Sequence, residues 1–162
     1  MAVRQVLLLG NPELYRVSEP VLPEELDALG PIVTDLHDTL LDFRSRHGAG
    51  RAIAAPQIGV MKRLLYMSID DRSTVFINPE LDEMSDKMIE VWDDCLCFPD
   101  LLVKVKRHRS CRIHFRDMEW KEQSLVLLDD LSELLQHEYD HLNGVLAVSR
   151  AIDAQSFSLK GS

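Results

Sequence analysis

Several things are scarce in this sequence, and each scarcity narrows the choice. No apolar run in its 162 residues approaches the roughly 20 needed to cross a bilayer as a helix, so no membrane partner is expected. The opening stretch Met1-Ala2-Val3-Arg4-Gln5-Val6-Leu7-Leu8-Leu9-Gly10 has too short an apolar core for a secretory signal, which makes a cytoplasmic location the expectation. Cysteine occurs only at Cys95, Cys97 and Cys111, an odd number that does not read as a disulfide framework. Positive charge is short: 18 Lys and Arg face 27 Asp and Glu, and a net charge of −9 argues against a nucleic-acid partner. The basic residues that cluster locally, Lys104, Lys106, Arg107, Arg109 and Arg112, read as the solvent face of two strands. Repeats and dividing linkers are absent, so residues 1–162 are expected to form one domain, long enough to bury its own core.

Residues 1–22 read as an extended arm, because Pro12, Pro20 and Pro23 block long helices. A helical stretch opens at Pro23-Glu24-Glu25. Leu29, Val33, Leu36, Leu40 and Phe43 then recur at helical spacing up to His47-Gly48, with Gly30-Pro31 expected to separate a first turn from the main helix. Residues 48–60 are rich in small side chains, which lets a backbone approach a strand or a ligand closely. Strand signals follow at 63–69, 74–78, 87–92, 102–107, 111–116 and 123–127, with turns at Asp70-Asp71-Arg72-Ser73 and Asp117-Met118-Glu119. Short strands joined by turns imply antiparallel sheets and an α+β fold. After Gly144 a polar, loose end is expected.

The chemistry concentrates in Gln136-His137-Glu138-Tyr139-Asp140-His141-Leu142-Asn143-Gly144. His137 and His141 are four residues apart, a spacing that stacks two imidazoles on one helix face within reach of a single cation. Glu138 lies between them, where its carboxylate can take a proton from an activated water and hand it on. A His- and Glu-rich surface helix would carry the same letters. However, Leu131, Leu134, Leu135 and Leu142 form an apolar stripe and Asn143-Gly144 is a helix stop, so the motif reads as a buried amphipathic helix. A catalytic site of this kind takes three protein ligands. One of the two cysteines in Trp92-Asp93-Asp94-Cys95-Leu96-Cys97-Phe98-Pro99 is the candidate third.

Three segments together resemble the peptide deformylases. Ala52-Ile53-Ala54-Ala55-Pro56-Gln57 resembles that family's first motif, Asp93-Asp94-Cys95-Leu96-Cys97 its Glu-Gly-Cys-Leu-Ser motif, and Gln136-His137-Glu138-Tyr139-Asp140-His141 matches its Gln-His-Glu-x-Asp-His motif in full. The resemblance implies antiparallel sheets around a central HExxH-bearing helix. It implies one divalent metal ion per chain held by Cys95, His137 and His141: ferrous iron, with zinc or nickel as substitutes. The implied reaction is hydrolysis of the formyl group from N-terminal formyl-methionine of new polypeptides, releasing formate. Glu138 would move the proton, and the Gln57 side chain with the Leu96 backbone N–H would stabilise the oxyanion. Gly50, Arg51, Ala52, Val91, Asp94, Glu133 and Leu134 are the expected substrate-binding positions, the first three receiving the substrate main chain like an added strand.

The departures from the family pattern cluster. Arg51 stands where an aliphatic residue is usual and Ala52 where a second glycine is frequent; Asp93 shortens a Glu, Asp94 replaces Gly, and Cys97 replaces Ser. The arginine that usually pairs with the second motif's carboxylate maps by count onto Leu102, so that clamp is expected to be rebuilt or absent. Glu133 lies one helical turn and Asp130 about two turns before His137, so both are expected on the metal-facing side, with Arg51 a partner for Glu133. The leading expectation is therefore a deformylase. The alternatives are a deformylase-like protein with altered N-formyl substrate preference, or one with lost catalysis serving as a binding module. An HExxH peptidase is disfavoured by the cysteine ligand.

Overall fold

The structure is a computed structural model that describes residues 2–161. Among the described residues there are two α-helices and eight strands, besides short 3₁₀ segments: α1 (Leu29–His47), β1 (Ala52–Ala54), β2 (Leu64–Ile69), β3 (Arg72–Asp82), β4 (Met88–Asp93), β5 (Leu101–His108), β6 (Ser110–Arg116), β7 (Glu122–Leu128), α2 (Asp129–Leu142) and β8 (Phe157–Leu159). The strands form a five-stranded sheet in the order β1-β2-β3-β6-β7 and a three-stranded sheet in the order β4-β5-β8. Every ladder is antiparallel. The α+β expectation is met, and short turns are the reason. Asp70 and Asp71 both adopt positive φ and form the two-residue loop closing the β2–β3 hairpin, where Ile69 pairs with Arg72. No described helix is long and apolar enough to cross a membrane.

Helix α1 lays Leu29, Leu36, Leu40 and Phe43 onto Ile53, Leu64, Tyr66 and Ile77 of the large sheet. The break before it falls earlier than expected. A 3₁₀ segment runs Pro23–Ala28 and α1 begins at Leu29, so Gly30-Pro31 sit inside its first turn, where proline's missing N–H has no helical partner to lose.

Helix α2 lies between the two sheets. Leu135 and Leu142 pack with Ala54, Leu65, Phe76, Ile113 and Leu127 of the five-stranded sheet. On its other side Gln136 is tied to the end of β5: its Oε1 accepts the His108 N–H at 3.0 Å and its Nε2 donates to the His108 carbonyl at 2.8 Å. The last carbonyls of α2 are also satisfied. Leu142 O accepts from Ser18 N at 2.8 Å and from Arg63 Nη1 at 3.0 Å, and the guanidinium complements the negative helix end. Leu131 is a correction to the expected apolar stripe. It is exposed, because at the start of the helix it has not yet entered the space between the sheets.

The two chain ends are tied down. The arm before α1 hydrogen-bonds through Leu7 N to Gln57 O and through Leu9 N to Cys97 O, and Asn78 holds Val21 by both its N–H and its carbonyl. The tail expected to be loose instead forms a 3₁₀ segment at Ala147–Arg150 and strand β8, which pairs with β5. Residues 1 and 162 lie outside the described residues.

Gly144 is the tightest point between the arm and α2. Its φ is +73°, and a Cβ there would collide with the Tyr15 carbonyl, whereas Gly48 (φ +71°) faces open space. Gly48→Ala is therefore expected to cost only the conformational penalty of about 1 kcal/mol. Gly144→Ala is expected to cost about 2–4 kcal/mol, since strain and overpacking add. Chemical denaturation of the two variants side by side checks the difference; equal losses would show that the arm yields freely.

Candidate active site

Cys95, His137 and His141 converge in the space between α2 and the end of β4, and all three are buried. One ligand atom from each lies within 4.8 Å of the others. The i, i+4 spacing on α2 brings the two rings to 5.1 Å between centroids. Nδ1 of His137 is 3.0 Å from Asp93 Oδ2, which leaves Nε2 for a cation, while Nε2 of His141 already lies 3.3 Å from Cys95 Sγ. Both histidines thus offer Nε2 on the same side. Glu138 Oε1 and His141 Nδ1 are buried without a hydrogen-bond partner among the described residues. A thiol and two imidazoles at this separation, beside an uncompensated carboxylate oxygen, are a donor set that fits a thiophilic first-row dication.

The charges around this cluster are strongly perturbed. Burial, set against the Asp93 hydrogen bond and the Glu138 and Asp93 charges, leaves His137 pushed up to about 9. Burial pushes His141 down and keeps it neutral. Burial raises Glu138 to about 7. Burial likewise pushes the Cys95 thiol up, while Cys97 is held down, first by the hydrogen bond from Cys95 and also by the Gln57 amide. Without a cation Cys95 is therefore the harder of the two sulfurs to ionise. A bound dication would displace its proton, as metal binding at thiols does.

Gln57 is completely buried at the end of the small-residue stretch. Its Oε1 accepts the Ala54 N–H at 2.8 Å, which fixes the amide so that Nε2 points at the sulfurs, 3.5 Å from Cys95 and 3.3 Å from Cys97. The polar residue after an apolar run is thereby explained: it is the neutral donor to the two sulfurs.

Beside the cluster opens a cavity of about 390 Å³, walled by Gly50, Arg51, Ala52, Asp94, Leu96, Glu133 and Leu134 from the expected set, and also by Phe43 and Trp92. His137 and Glu138 reach it from α2. Gly50 sits at φ +132°, where a Cβ would press on Phe43 and Leu40, so the backbone can run close to the helix only with glycine there. Glu133 meets Arg51 across the wall, Oε1 to Nη2 at 2.9 Å.

Three expectations are corrected. Val91 does not line the cavity; strand alternation turns it into the small-sheet core and turns Trp92 outward instead. Asp130 does not line it either and is exposed, because α2 has only just begun there. The carboxylate clamp is rebuilt, as one of the two expected outcomes had it, and Arg107 supplies it. Arg107 is not on a solvent face. It shares the buried phase of β5 with Val103 and Val105, and that alternation, read strictly, would have found it.

Arg107 donates to Asp93 Oδ2 at 2.7 Å and to Asp140 Oδ2 at 2.8 Å, with only 3% of its side chain exposed. Burial would raise Asp93, but the His137 hydrogen bond and the His137 and Arg107 charges outweigh it and hold the carboxyl at about 2. Asp93 in turn fixes which nitrogen of His137 is free.

Comparison with known proteins points to the peptide deformylases. The sequence profile of the polypeptide deformylases matches residues 3–157. The peptide deformylase of Leptospira biflexa is 32% identical over 170 residues, covering 97% of this chain and 92% of that protein. That of Rhizobium meliloti is 35% identical over 154 residues, covering 91% and 84%. Among solved structures, the class I type b peptide deformylase of Acinetobacter baumannii superposes with a TM-score of 0.86 at 28% identity, covering 93% of this chain and all of that one. The Synechococcus elongatus peptide deformylase, solved in complex with actinonin, gives 0.86 at 27% identity, covering 94% and 81%.

Replacing Arg107 by Met would leave Asp93 and Asp140 buried without their shared cation. A loss of about 3–5 kcal/mol in unfolding free energy is expected, as for other broken buried ion pairs. Urea denaturation measures it; a loss under about 1 kcal/mol would mean the cluster is hydrated.

Proposed function

The chain belongs to the peptide deformylase family, and from that membership we infer that the cavity beside α2 is where the formyl group is hydrolysed. The protein is an enzyme that removes the N-formyl group from N-terminal formyl-methionine of polypeptides and releases formate. We assign one divalent cation per chain to Cys95 Sγ and the Nε2 atoms of His137 and His141, with ferrous iron the expected ion and zinc or nickel as substitutes. The convergence of those three donors with Glu138 at one end of the cavity carries this assignment.

A bound dication supplies Lewis acidity, making water a usable nucleophile near neutral pH. The rest is work for the side chains. Glu138 follows His137 on the buried face of α2, with one oxygen free of hydrogen-bond partners among the described residues, and it is the group assigned to take a proton from water and return it to the departing amine. Gln57 Nε2, beside Cys95 Sγ, and the Leu96 backbone N–H are the donors assigned to the oxyanion that develops at the formyl carbon. Asp93, itself clamped by Arg107, keeps His137 in the tautomer that offers Nε2. Phe43, Leu96 and Leu134 shelter the reacting amide from water. The partner is an N-formylated peptide or nascent polypeptide, and a cytoplasmic setting fits three unpaired thiols. A fold kept only for binding would need neither Glu138 nor Gln57 at these positions.

Two experiments test the assignment. Metal analysis after anaerobic purification should find the ion lost from Cys95→Ser and retained by Cys97→Ser. The reverse result would move the ligand to Cys97. Glu138→Gln should keep metal and fold while formate release falls by about 10²–10⁴, the usual yield of a general acid–base; retention of most of the rate would assign the proton elsewhere.

A further inference from the structure

The five-stranded sheet ends at β7, and nothing among the described residues pairs with its outer side. The segment Gln123-Ser124-Leu125-Val126-Leu127-Leu128 has no charge and no proline, and its last four residues are apolar. Of those four only Leu127 is buried; Leu125 is 44% exposed, Val126 59% and Leu128 60%. Sheet edges are usually short, charged, bulged or broken by proline, because an open ladder recruits another strand. The other edges follow that rule: β1 and β8 are three residues long, and β4 carries Glu90 and Asp93. β7 is seven residues long, and its one charge, Glu122, stands at its start.

The ladder to β6 shows which backbone groups of β7 are open. Asp129 N donates to Arg109 O at 2.8 Å and Asp117 N to Lys121 O at 3.0 Å, so the odd-numbered residues of β7 direct their backbone at β6. Glu122, Ser124 and Val126 therefore turn theirs outward. The side chains alternate too. Leu125 shares the core face with Leu127 and with its partner Ile113, both buried, yet it stays open to solvent. The ends of the strand fix how a copy can align with it. Trp120 at φ +65° and Asp129 at φ +49° turn the chain sharply on either side, which confines pairing to 122–128. An antiparallel copy then matches the whole strand only with Leu125 on a two-fold axis. In that register Ser124 meets Val126 and Glu122 meets Leu128, so the residues with outward backbone groups face one another. The same register sets Lys121 against Asp129 at both ends, bringing opposite charges together. Within the chain these two have only surface partners, Glu119 and Arg109. An unrelated peptide has no reason to match both ends, whereas a second copy does so by symmetry.

We propose that the chain forms a two-fold dimer in which β7 pairs antiparallel with β7 of a second copy, joining the two five-stranded sheets into one. Leu125 meets its own copy on the core face, and the outward backbone groups of both strands find partners. β1, which lines the cavity, is the opposite edge of the sheet, so the dimer leaves the cavity open. A single strand pair is a small interface, which sets dissociation in the micromolar range.

Sedimentation velocity on the metal-loaded full chain tests this. The wild type should be mostly dimer at tens of micromolar and dissociate on dilution. Val126→Pro removes an outward N–H without touching the ladder to β6, a position where an edge strand tolerates proline. It should be monomeric throughout, with its melting temperature and formate release per chain unchanged. Should it fail to fold, Leu125→Lys sets two ammonium groups against each other across the axis and should abolish the dimer in the same way. Leu125→Cys tests the register, because the three native thiols are buried. Paired residues on the axis have Cα atoms about 4.5 Å apart, so air oxidation should link two Leu125→Cys chains by a disulfide and leave Gln123→Cys chains unlinked. A wild type that stays monomeric, a dimer that survives the Val126 and Leu125 substitutions, or Leu125→Cys linking no faster than Gln123→Cys would overturn the proposal. None of these results bears on the deformylase reading of the cavity.

Discussion

The guanidinium of Arg107 is the charge around which the site is arranged. It is almost wholly buried, and it bridges a carboxylate at the end of β4 to one on α2. Each of those carboxylates makes a second contact: Asp93 with Nδ1 of His137, and Asp140 with Arg150 in the segment after α2. One cation therefore fixes the small sheet against the helix, the helix against the tail, and a ligand ring in one tautomer. Desolvating three charges is costly, and the expense is tolerable only because the hydrogen bonds are short and shared. The return is geometric. Of the three side chains assigned to the metal, two come from α2 and the third from the loop after β4, and without this contact the elements could slide past one another.

Other links reinforce the same register. Gln136 replaces a missing strand by binding both backbone groups of His108, and Arg63 and Ser18 close the far end of α2. Leu135 and Leu142 hold the opposite face on the large sheet. The result is a helix with an apolar side, a polar side and both ends engaged. It can carry an unpartnered Glu138 oxygen beside two imidazoles because those surroundings cannot relax to satisfy it.

Much of this was legible in the chain. The strands, the α+β class, the stop at Asn143-Gly144 and the pairing of Arg51 with Glu133 all follow from alternation, helical phase and turn residues, which are local signals. The failures share a cause. Leu131 and Asp130 were placed by helical phase and Val91 by nearness to the second motif, whereas a residue at an element's edge takes its environment from whichever neighbour covers it. Arg107 was lost among surface cations because basic residues usually face water, though its phase with Val103 and Val105 said otherwise. The tail was misjudged because a three-residue strand has no signal of its own; β8 exists only because the edge of β5 is there to pair with.

The unusual residues of the second motif also make sense as a set. Each added or altered group meets a partner from a distant part of the chain. Asp93, a methylene shorter than the customary Glu, reaches both Arg107 and His137; Asp94 meets Lys160, which β8 carries to the cavity rim; and the Cys97 sulfur takes an N–H from Gln57. Arg51 and Glu133 repeat the pattern across the cavity. A site drifting out of use accumulates uncompensated charge, since nothing maintains the partner. Here five non-standard positions, Arg51, Asp93, Asp94, Cys97 and Glu133, retain theirs, and Cys95, His137, His141 and Glu138 converge at one end of an open cavity. Compensation of this kind points to a site whose electrostatics were retuned while its chemistry was kept, with the altered residues gathered on the cavity wall and behind it.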